Sequence, residues 1–281
     1  MQGKVVVMTG ATSGIGEAAA GRLAEMGARL ILIARDSARA DLTLAKLRAA
    51  GPGVEHRAFI ADLSAMAETR RVAQEIAAAE PKIDVLVNNA GAVFDRRHLS
   101  VDGLEMTFAL NHMAYFVLTE GLKDQLIAAA PSRIINTAST AHRGAKLEPS
   151  DLDGMRGSNG YAAYGRSKLA NILFTRELAR RLAGTGVTAN SLHPGFVATR
   201  FGDSMNVGRW VMPLARRFAL SPQKGAETIV YLASSPKAEG LTGLYFDKCA
   251  PVAPSAEAQD DIVAARLWAE SERLAAGRAD T

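Results

Sequence analysis

The sequence predicts an α/β protein with a single doubly wound, Rossmann-type parallel sheet and helices on both faces. Short runs rich in β-branched residues alternate with long stretches rich in Ala, Leu and Arg. Parallel strands need crossover connections of that length. Runs such as residues 5–8 and 30–33 are apolar throughout, which is typical of strands covered on both faces. A glycine-rich turn also joins the first strand to the first helix.

The predicted elements follow one another without an internal boundary. Strands are expected at residues 4–9, 29–34, 54–60, 83–87, 133–138, 187–192 and 244–246. Helices are expected at residues 15–26, 37–50, 64–80, 111–126, 161–182 and, at the C-terminus, 255–276. Because no linker or repeat divides the chain, we assign residues 1–281 to one domain.

The composition excludes several classes of protein. Apolar residues make up 48% of the chain and charged residues 22%, which is ordinary for a globular protein and excludes disorder as the main state. The lone Cys249 excludes a disulfide scaffold, and the five histidines lack metal-ligand spacing, so we expect no metal. The net charge of +4 is spread along the chain, so we expect no nucleic-acid partner.

The N-terminal sequence indicates where in the cell the protein is expected. The first strand begins within the first few residues, which leaves no room for a signal peptide. No apolar run approaches the ~18 residues of a membrane-spanning helix. We therefore expect a soluble, cytoplasmic protein without an integral membrane segment.

The glycine-rich turn indicates a dinucleotide site. Glycines let the backbone turn sharply and approach a pyrophosphate, and the N-terminus of the next helix supplies N–H groups and positive potential. A tight structural turn is the alternative for such a cluster alone. Its position between the first strand and a helix favours the dinucleotide. The predicted cofactor-binding residues of the turn are Gly10, Thr12, Ser13, Gly14, Ile15 and Gly16.

Tyr164 and Lys168 are candidate catalytic residues. Side chains at positions i and i+4 share a helix face, so the ammonium group can approach the phenol. A nearby cation lowers the pKa of tyrosine from about 10 and brings proton transfer into a useful range. Taken alone, the pair is also compatible with a surface tyrosine beside a solvated lysine.

The set of motifs resembles the short-chain dehydrogenase/reductase family over about residues 4–247. The matching features occur in family order: Gly-x3-Gly-x-Gly, Asp62-Leu63, Asn88-Asn89-Ala90-Gly91, Ser139, Tyr164-x3-Lys168 and Pro194-Gly195. Within the family, residues 139–142, 164–182 and 193–199 and the C-terminal part are most similar to the retinol-dehydrogenase-like group. The long separation between the serine and the tyrosine is also typical of that group.

The resemblance implies an oxidoreductase that interconverts a lipophilic alcohol and its aldehyde or ketone. Tyr164 would be the general acid/base, Lys168 would lower its pKa and hold the nicotinamide ribose, and Ser139 would stabilise the reacting oxygen. Asn111 would hold a water on the proton-relay path, although it could equally bend or cap its helix. Further cofactor contacts are expected from Asp62, Leu63, Asn89, Ala90, Gly91, Pro194, Gly195 and Thr199.

The end of the second strand predicts the cofactor. A carboxylate there accepts hydrogen bonds from a free ribose 2′-hydroxyl, whereas arginine pairs with a 2′-phosphate. In family members that use NAD the acid occupies the position of Ala34, and Arg35 comes next. We therefore predict NADP rather than NAD. Asp36 is the counter-argument, although it could instead serve the start of the following helix.

Residues 201–220 have two competing interpretations. A short helix with apolar residues on one side and arginines on the other could be a lid over an apolar substrate. It could instead touch a membrane surface, as basic and aromatic helices do.

Two alternatives to the predicted enzyme stay open. One is a protein that binds NADPH and regulates without turnover, and the other is a reductase of a large tetrapyrrole. The family also leads us to expect a possible homo-oligomer that pairs the helices at residues 111–126 and 161–182.

Overall fold

A computed structural model describes residues 1–147, 160–195 and 220–277. Its strands are β1 (Val5–Thr9), β2 (Arg29–Ala34), β3 (Arg57–Ile60), β4 (Val85–Asn88), β5 (Ser132–Thr137), β6 (Val187–His193), β7 (Tyr245–Asp247) and β8 (Ala250–Pro251). Within the described residues they form one eight-stranded sheet in the order β3-β2-β1-β4-β5-β6-β7-β8. Neighbours are parallel except for β7 and β8. This confirms the predicted fold class.

The helices connect these strands. They are α1 (Gly14–Glu25), α2 (Ser37–Ala50), α3 (Met66–Ala79), α4 (Met106–Phe108), α5 (Ala114–Gly121), α6 (Lys123–Ala128), α7 (Gly160–Arg181), α8 (Pro222–Ser234) and α9 (Asp261–Ala276). A π-helical turn (Ala109–Met113) joins α4 to α5. Short 3₁₀ turns cover Thr140–His142, Pro236–Ala238 and Glu257–Gln259.

The sheet separates two hydrophobic layers. Because successive strand residues point to opposite faces, Val7 and Ile31 pack with α3, α5, α7 and α9. Their neighbours Val6 and Leu30 pack with α1, α2 and α8 on the other side. Strand order reverses between β1 and β4, and an open α/β sheet binds its ligands at such a point, beyond the carboxyl ends of the strands.

The bounds of the elements differ in part from the sequence prediction. β2 and α2 have the predicted limits, whereas β3 begins at Arg57, three residues later than predicted. The single helix predicted at residues 111–126 was wrong: a π-helical turn precedes α5, which ends at Gly121, and α6 follows after Leu122. Glycine is a poor helix former, which agrees with the end of α5.

The C-terminal part differs as well. Residues 255–276 do not form one helix: a 3₁₀ turn precedes α9, whose N-cap Asp260 accepts hydrogen bonds from the amides of Ile262 and Val263. The sequence analysis missed α8 and β8. In the described residues no helix is long and apolar enough to cross a membrane. The predicted lid at residues 201–220 lies outside the described residues, apart from its last position.

Candidate active site

The turn between β1 and α1 leaves the N-terminus of α1 open. Ser13 is the N-cap residue in an extended conformation, and its side chain makes no capping hydrogen bond. Gly14 follows with a φ of 56°, in the left-handed region that favours glycine. The first-turn amide groups of α1 can therefore bind an anionic group such as a pyrophosphate.

The same turn is pressed against the segment after β4. A Cβ on Gly16 would lie 2.0 Å from the carbonyl oxygen of Gly10, so this position excludes any side chain. The Thr9 hydroxyl accepts hydrogen bonds from the amides of Asn89 and Ala90, both at 2.9 Å. The Asn89 side chain donates to the Gly10 carbonyl at 3.2 Å. The two predicted cofactor-binding segments therefore form one surface.

The residues that follow β2 and β3 lie at the carboxyl ends of these strands. Arg35 is exposed, whereas the Asp36 carboxylate accepts a hydrogen bond from the Arg39 amide at 3.0 Å and caps α2. Asp62 accepts hydrogen bonds from the amide and hydroxyl of Ser64, at 3.0 and 2.8 Å, and Leu63 is buried. Asp36 thus serves the start of a helix, as its alternative interpretation required.

The catalytic candidates meet where β5 ends beside α7. Hydrogen bonding by the Ser139 side chain lowers the pKa of Tyr164 against a larger, opposing effect of burial. The Ser139 hydroxyl also accepts a hydrogen bond from the Ala141 amide at 3.2 Å. The Lys168 Nζ atom lies 5.5 Å from the centroid of the Tyr164 ring. It donates a hydrogen bond to the Thr137 carbonyl at 2.9 Å. The structure therefore brings all three side chains together.

Burial controls both titratable groups. It raises the pKa of Tyr164 to about 12 and lowers the pKa of Lys168 to about 7. That Lys168 lowers the pKa of the phenol stays a prediction, since burial is the largest influence on the pKa of Tyr164 here. Desolvation disfavours the phenolate and the ammonium alike, so the lysine is itself only partly charged near neutral pH.

Asn111 connects the segment after β4 to α7. Its Oδ1 accepts from the Ala92 amide at 2.9 Å, and its Nδ2 donates to the Ala92 carbonyl and the Ser167 hydroxyl, both at 3.0 Å. The Ser167 hydroxyl donates in turn to the Tyr164 carbonyl at 2.8 Å. Asn111 is thus fully buried in a π-helical turn, a feature frequent at functional sites. That it holds a water stays a prediction.

Sequence reasoning missed Tyr115 and Thr137. The Tyr115 hydroxyl donates to the Ala90 carbonyl at 2.9 Å, and the Lys168 Nζ atom lies 5.9 Å from its ring centroid. Its position four residues after Asn111 was a usable signal, because i and i+4 share a helix face. Thr137 acts through its backbone carbonyl oxygen. Because every residue has this group, the residue type gave no signal.

The remaining predicted cofactor contacts line the same crevice where the structure describes them. Pro194 and Gly195 follow the carboxyl end of β6, and Thr199 lies outside the described residues. Gly91 leaves room at the centre, since a Cβ there would lie 3.1 Å from Asn111 Oδ1 and 3.5 Å from Lys168 Nζ. An open helix N-terminus, an exposed arginine and a buried lysine fit a dinucleotide, whose pyrophosphate lies between two riboses.

Such a crevice, with a phosphate-binding helix at one end and a tyrosine–lysine pair at the other, defines a dinucleotide-dependent oxidoreductase. A family model described as short chain dehydrogenase matches residues 4–209. Mouse retinol dehydrogenase 14 is 42% identical to this chain over 97% of it and 86% of its own length. The chain belongs to the short-chain dehydrogenase/reductase family, in its retinol-dehydrogenase-like group. It is accordingly an enzyme that acts on CH–OH groups.

Solved structures agree with the fold. Pseudomonas aeruginosa RhlG, in an active-site complex with NADP, has a TM-score of 0.72 and 29% identity, with 88% of this chain and 94% of that chain covered. A 3-ketoacyl-(acyl-carrier-protein) reductase from Brucella melitensis, complexed with NADH, has a TM-score of 0.68 and 27% identity, with 88% and 96% covered. These neighbours support a nicotinamide dinucleotide cofactor without selecting between its two forms.

Proposed function

We propose that this enzyme interconverts a lipophilic alcohol and its aldehyde or ketone with NADP, and that Tyr164 is the general acid/base. The observation that carries the proposal is that Tyr164, Ser139 and Lys168 meet where β5 ends beside α7, with Lys168 Nζ 5.5 Å from the phenol ring centroid. A phenol, a hydroxyl and an amine arranged in this way can bind and protonate a carbonyl oxygen.

The reaction divides between cofactor and protein. A bound nicotinamide would supply or accept the hydride. In the reductive direction the Tyr164 hydroxyl donates its proton to the carbonyl oxygen while the Ser139 hydroxyl donates a hydrogen bond to the same atom. In the oxidative direction the phenolate form of Tyr164 takes the proton from the alcohol. Because burial raises its pKa to about 12, Tyr164 is protonated at neutral pH and ready to donate.

Lys168 would hold the ribose and assist the proton transfer. It is fully buried, and the Thr137 carbonyl fixes its Nζ atom at 2.9 Å. The absence of a side chain at Gly91 leaves space beside that atom. An ammonium group can donate to a ribose hydroxyl and to a phenol oxygen at the same time, since it has three donors.

Three observations at the end of β2 support NADP. Ala34 offers no carboxylate to a ribose 2′-hydroxyl, and the exposed Arg35 can form a bidentate pair with a 2′-phosphate. Asp36 already accepts a hydrogen bond from the Arg39 amide. The one carboxylate that follows β2 directly is therefore engaged as a helix cap.

The similarity to mouse retinol dehydrogenase 14 supports the substrate class. The name of that protein describes the oxidation of retinol, a lipophilic alcohol, and the alignment covers 97% of the present chain. We extend that class, not the particular alcohol, to this protein. The lid at residues 201–220, the cytoplasmic location and the homo-oligomer stay predictions.

A substrate panel tests the proposal. Purified enzyme is incubated with lipophilic and hydrophilic aldehydes, ketones and alcohols, with NADPH or NADH and their oxidised forms, and nicotinamide absorbance is followed. We expect turnover of lipophilic carbonyls with NADPH, lost in Tyr164→Phe. Absence of turnover across the panel, or turnover that survives Tyr164→Phe, would contradict the proposed function.

A further inference from the structure

The loop that carries Ser139 is attached to the C-terminal part of the chain through His142. The His142 ring is fully buried. Its Nδ1 atom lies 2.6 Å from the carbonyl oxygen of Ser139, and its Nε2 atom lies 3.1 Å from the backbone nitrogen of Ser255. Ser255 belongs to the segment between β8 and α9, so one side chain joins distant parts of the sequence.

The two partners determine the tautomer of the ring. A carbonyl oxygen can only accept a hydrogen bond, and a backbone amide can only donate one. His142 must therefore carry its proton on Nδ1 and present a lone pair at Nε2. The ring is a neutral bridge that donates to Ser139 and accepts from Ser255.

Neighbouring contacts hold the loop on its other sides. The Thr140 amide donates to His193 Nδ1 at 3.4 Å, and the Arg143 guanidinium donates to the Ala253 carbonyl at 3.2 Å. The His142 ring packs edge-on against Tyr245, with centroids 5.1 Å apart. These side-chain contacts add to the backbone hydrogen bonds of the 3₁₀ turn, in which the His142 amide donates to the Ser139 carbonyl at 3.2 Å.

We propose that His142 is a positioning residue for the reaction: it fixes the Ser139 backbone so that the serine hydroxyl stays aligned with Tyr164. The proposal rests on the proposed function, since it concerns the same reaction centre. His142 acts through Ser139: it binds the serine carbonyl, while the serine hydroxyl accepts from the Ala141 amide at 3.2 Å and influences the pKa of Tyr164. An oxygen-stabilising donor is worth about 10²–10³ in turnover only while its geometry is kept.

Two conservative variants separate the two hydrogen bonds. The amide nitrogen of asparagine can replace Nδ1, so His142→Asn keeps a donor for the Ser139 carbonyl. The amide oxygen of glutamine can replace Nε2, so His142→Gln keeps an acceptor for Ser255 and loses the donor. We expect kcat to fall by about tenfold or more in His142→Gln and His142→Ala. His142→Asn should recover most of this loss, and KM for the cofactor should change little in all three.

A double-mutant cycle tests whether the effect passes through the serine. Ser139→Ala removes the hydroxyl, so adding His142→Gln to it should lower kcat by less than about twofold further. Multiplicative losses in the double variant would contradict the positioning role. So would a His142→Asn variant no better than His142→Gln.

His56 provides a matched control for a buried histidine. It is also buried, and its Nδ1 accepts from the Leu30 amide at 3.1 Å at the far edge of the sheet. His56→Gln should lower the melting temperature and leave kcat unchanged. If the wild type turns over and Tyr164→Phe does not, but the His142 and His56 variants lose kcat alike, only the positioning proposal fails. A wild type without turnover overturns the proposed function, and this inference with it.

Discussion

The two ends of the crevice are built by different means. The nucleotide end consists of backbone groups and exposed side chains: the open N-terminus of α1, the packed Gly10 and Gly16, and the exposed Arg35. The catalytic end consists of buried polar side chains, with Asn111 and Lys168 both at most 2% exposed. The first end recognises charge at the surface, and the second holds polar groups away from water.

This difference has an energetic consequence. An exposed charge costs the fold little, so an exposed side chain of the nucleotide end, such as Arg35, can be altered with effects confined to affinity. A buried amine or phenol costs desolvation free energy that the fold must supply. Replacing a buried polar group at the catalytic end should therefore raise stability and lower activity, because the groups that the reaction needs are the ones that are costly to bury.

The largest effect is expected from Tyr164→Phe. The change removes the proton donor and leaves the ring in place, so turnover should fall by about 10²–10⁴ while fold and cofactor affinity are kept. Steady-state kinetics and calorimetric cofactor titration measure the two properties. Tyr161→Phe is the matched control, since that ring is 60% exposed and its centroid lies 6.3 Å from that of Tyr164. Equal losses in both variants would contradict the assignment.

Lys168→Met should make the protein more stable and inactive. Burial lowers the pKa of Lys168 to about 7 from 10.5. Near neutral pH, folding must therefore either remove the proton that Lys168 holds in the unfolded chain or bury the charged ammonium group. Removing this cost should raise the free energy of unfolding by about 2–4 kcal/mol at pH 7. The Thr137 carbonyl keeps a donor in Asn171 Nδ2 at 3.2 Å.

The lowered pKa of Lys168 also predicts how the stability of the wild type changes with pH. Between pH 7 and 10 the unfolded chain binds the Lys168 proton and the folded chain does not, so wild-type stability should rise with pH. Denaturant unfolding between pH 7 and 9 should show this slope in the wild type and a smaller slope in Lys168→Met. The surface variant Lys237→Met controls for the loss of a lysine. A less stable Lys168→Met protein would show that the buried amine stabilises the fold.

The sequence predicted the two ends unequally well. The limits of β2 and α2, the glycine-rich turn and the Tyr164–Lys168 pair follow from apolar runs, turn chemistry and helical spacing, which are local properties. The π-helical turn at Ala109–Met113 does not, because continuous helical periodicity runs through it. Within this turn, the Asn111 side chain accepts from the Ala92 amide and donates to the Ala92 carbonyl, and a local pattern contains no information on such a contact between separate segments.

The pKa of Tyr164 shows the same limit. Spacing correctly placed the lysine beside the phenol, but it contains no information on how deeply either is buried. Burial raises one pKa and lowers the other, and burial is decided by the packing of α7 against the sheet and α5. One hydrogen-bond partner of His142 was equally hidden from the sequence, since Ser255 lies 113 residues away.

Arg35→Ala should alter cofactor choice without altering the fold. A bidentate pair with the 2′-phosphate contributes roughly 1.5–3 kcal/mol, so the preference for NADPH over NADH should fall by about ten- to a hundredfold. Calorimetric titration with both cofactors measures the ratio. Arg48→Ala, at an exposed position in the last turn of α2, should leave it unchanged. Tighter binding of NADH by the wild type would contradict the choice of NADP.

The smallest effect concerns Asp36, which caps α2 in the structure. Its carboxylate accepts from the Arg39 amide at 3.0 Å, so Asp36→Ala should lower the free energy of unfolding by about 1 kcal/mol. Asparagine caps helices about as well as aspartate, so Asp36→Asn should restore stability. Denaturant unfolding compares the two variants, with Asp260→Ala at the N-cap of α9 as a reference for losing a cap.

The same variants decide whether Asp36 takes part in cofactor choice. A capping carboxylate contributes nothing specific to a 2′-hydroxyl, so the ratio of NADPH to NADH affinity should change by less than about threefold in Asp36→Asn. A ribose ligand behaves differently, because its loss removes a charge-assisted hydrogen bond worth about 1.5–3 kcal/mol from NADH alone. An Asp36→Asn protein of unchanged stability that loses tenfold or more in NADH affinity would make Asp36 part of the nucleotide end. The surface charge there would then recognise both forms of the cofactor, with Arg35 serving one and Asp36 the other.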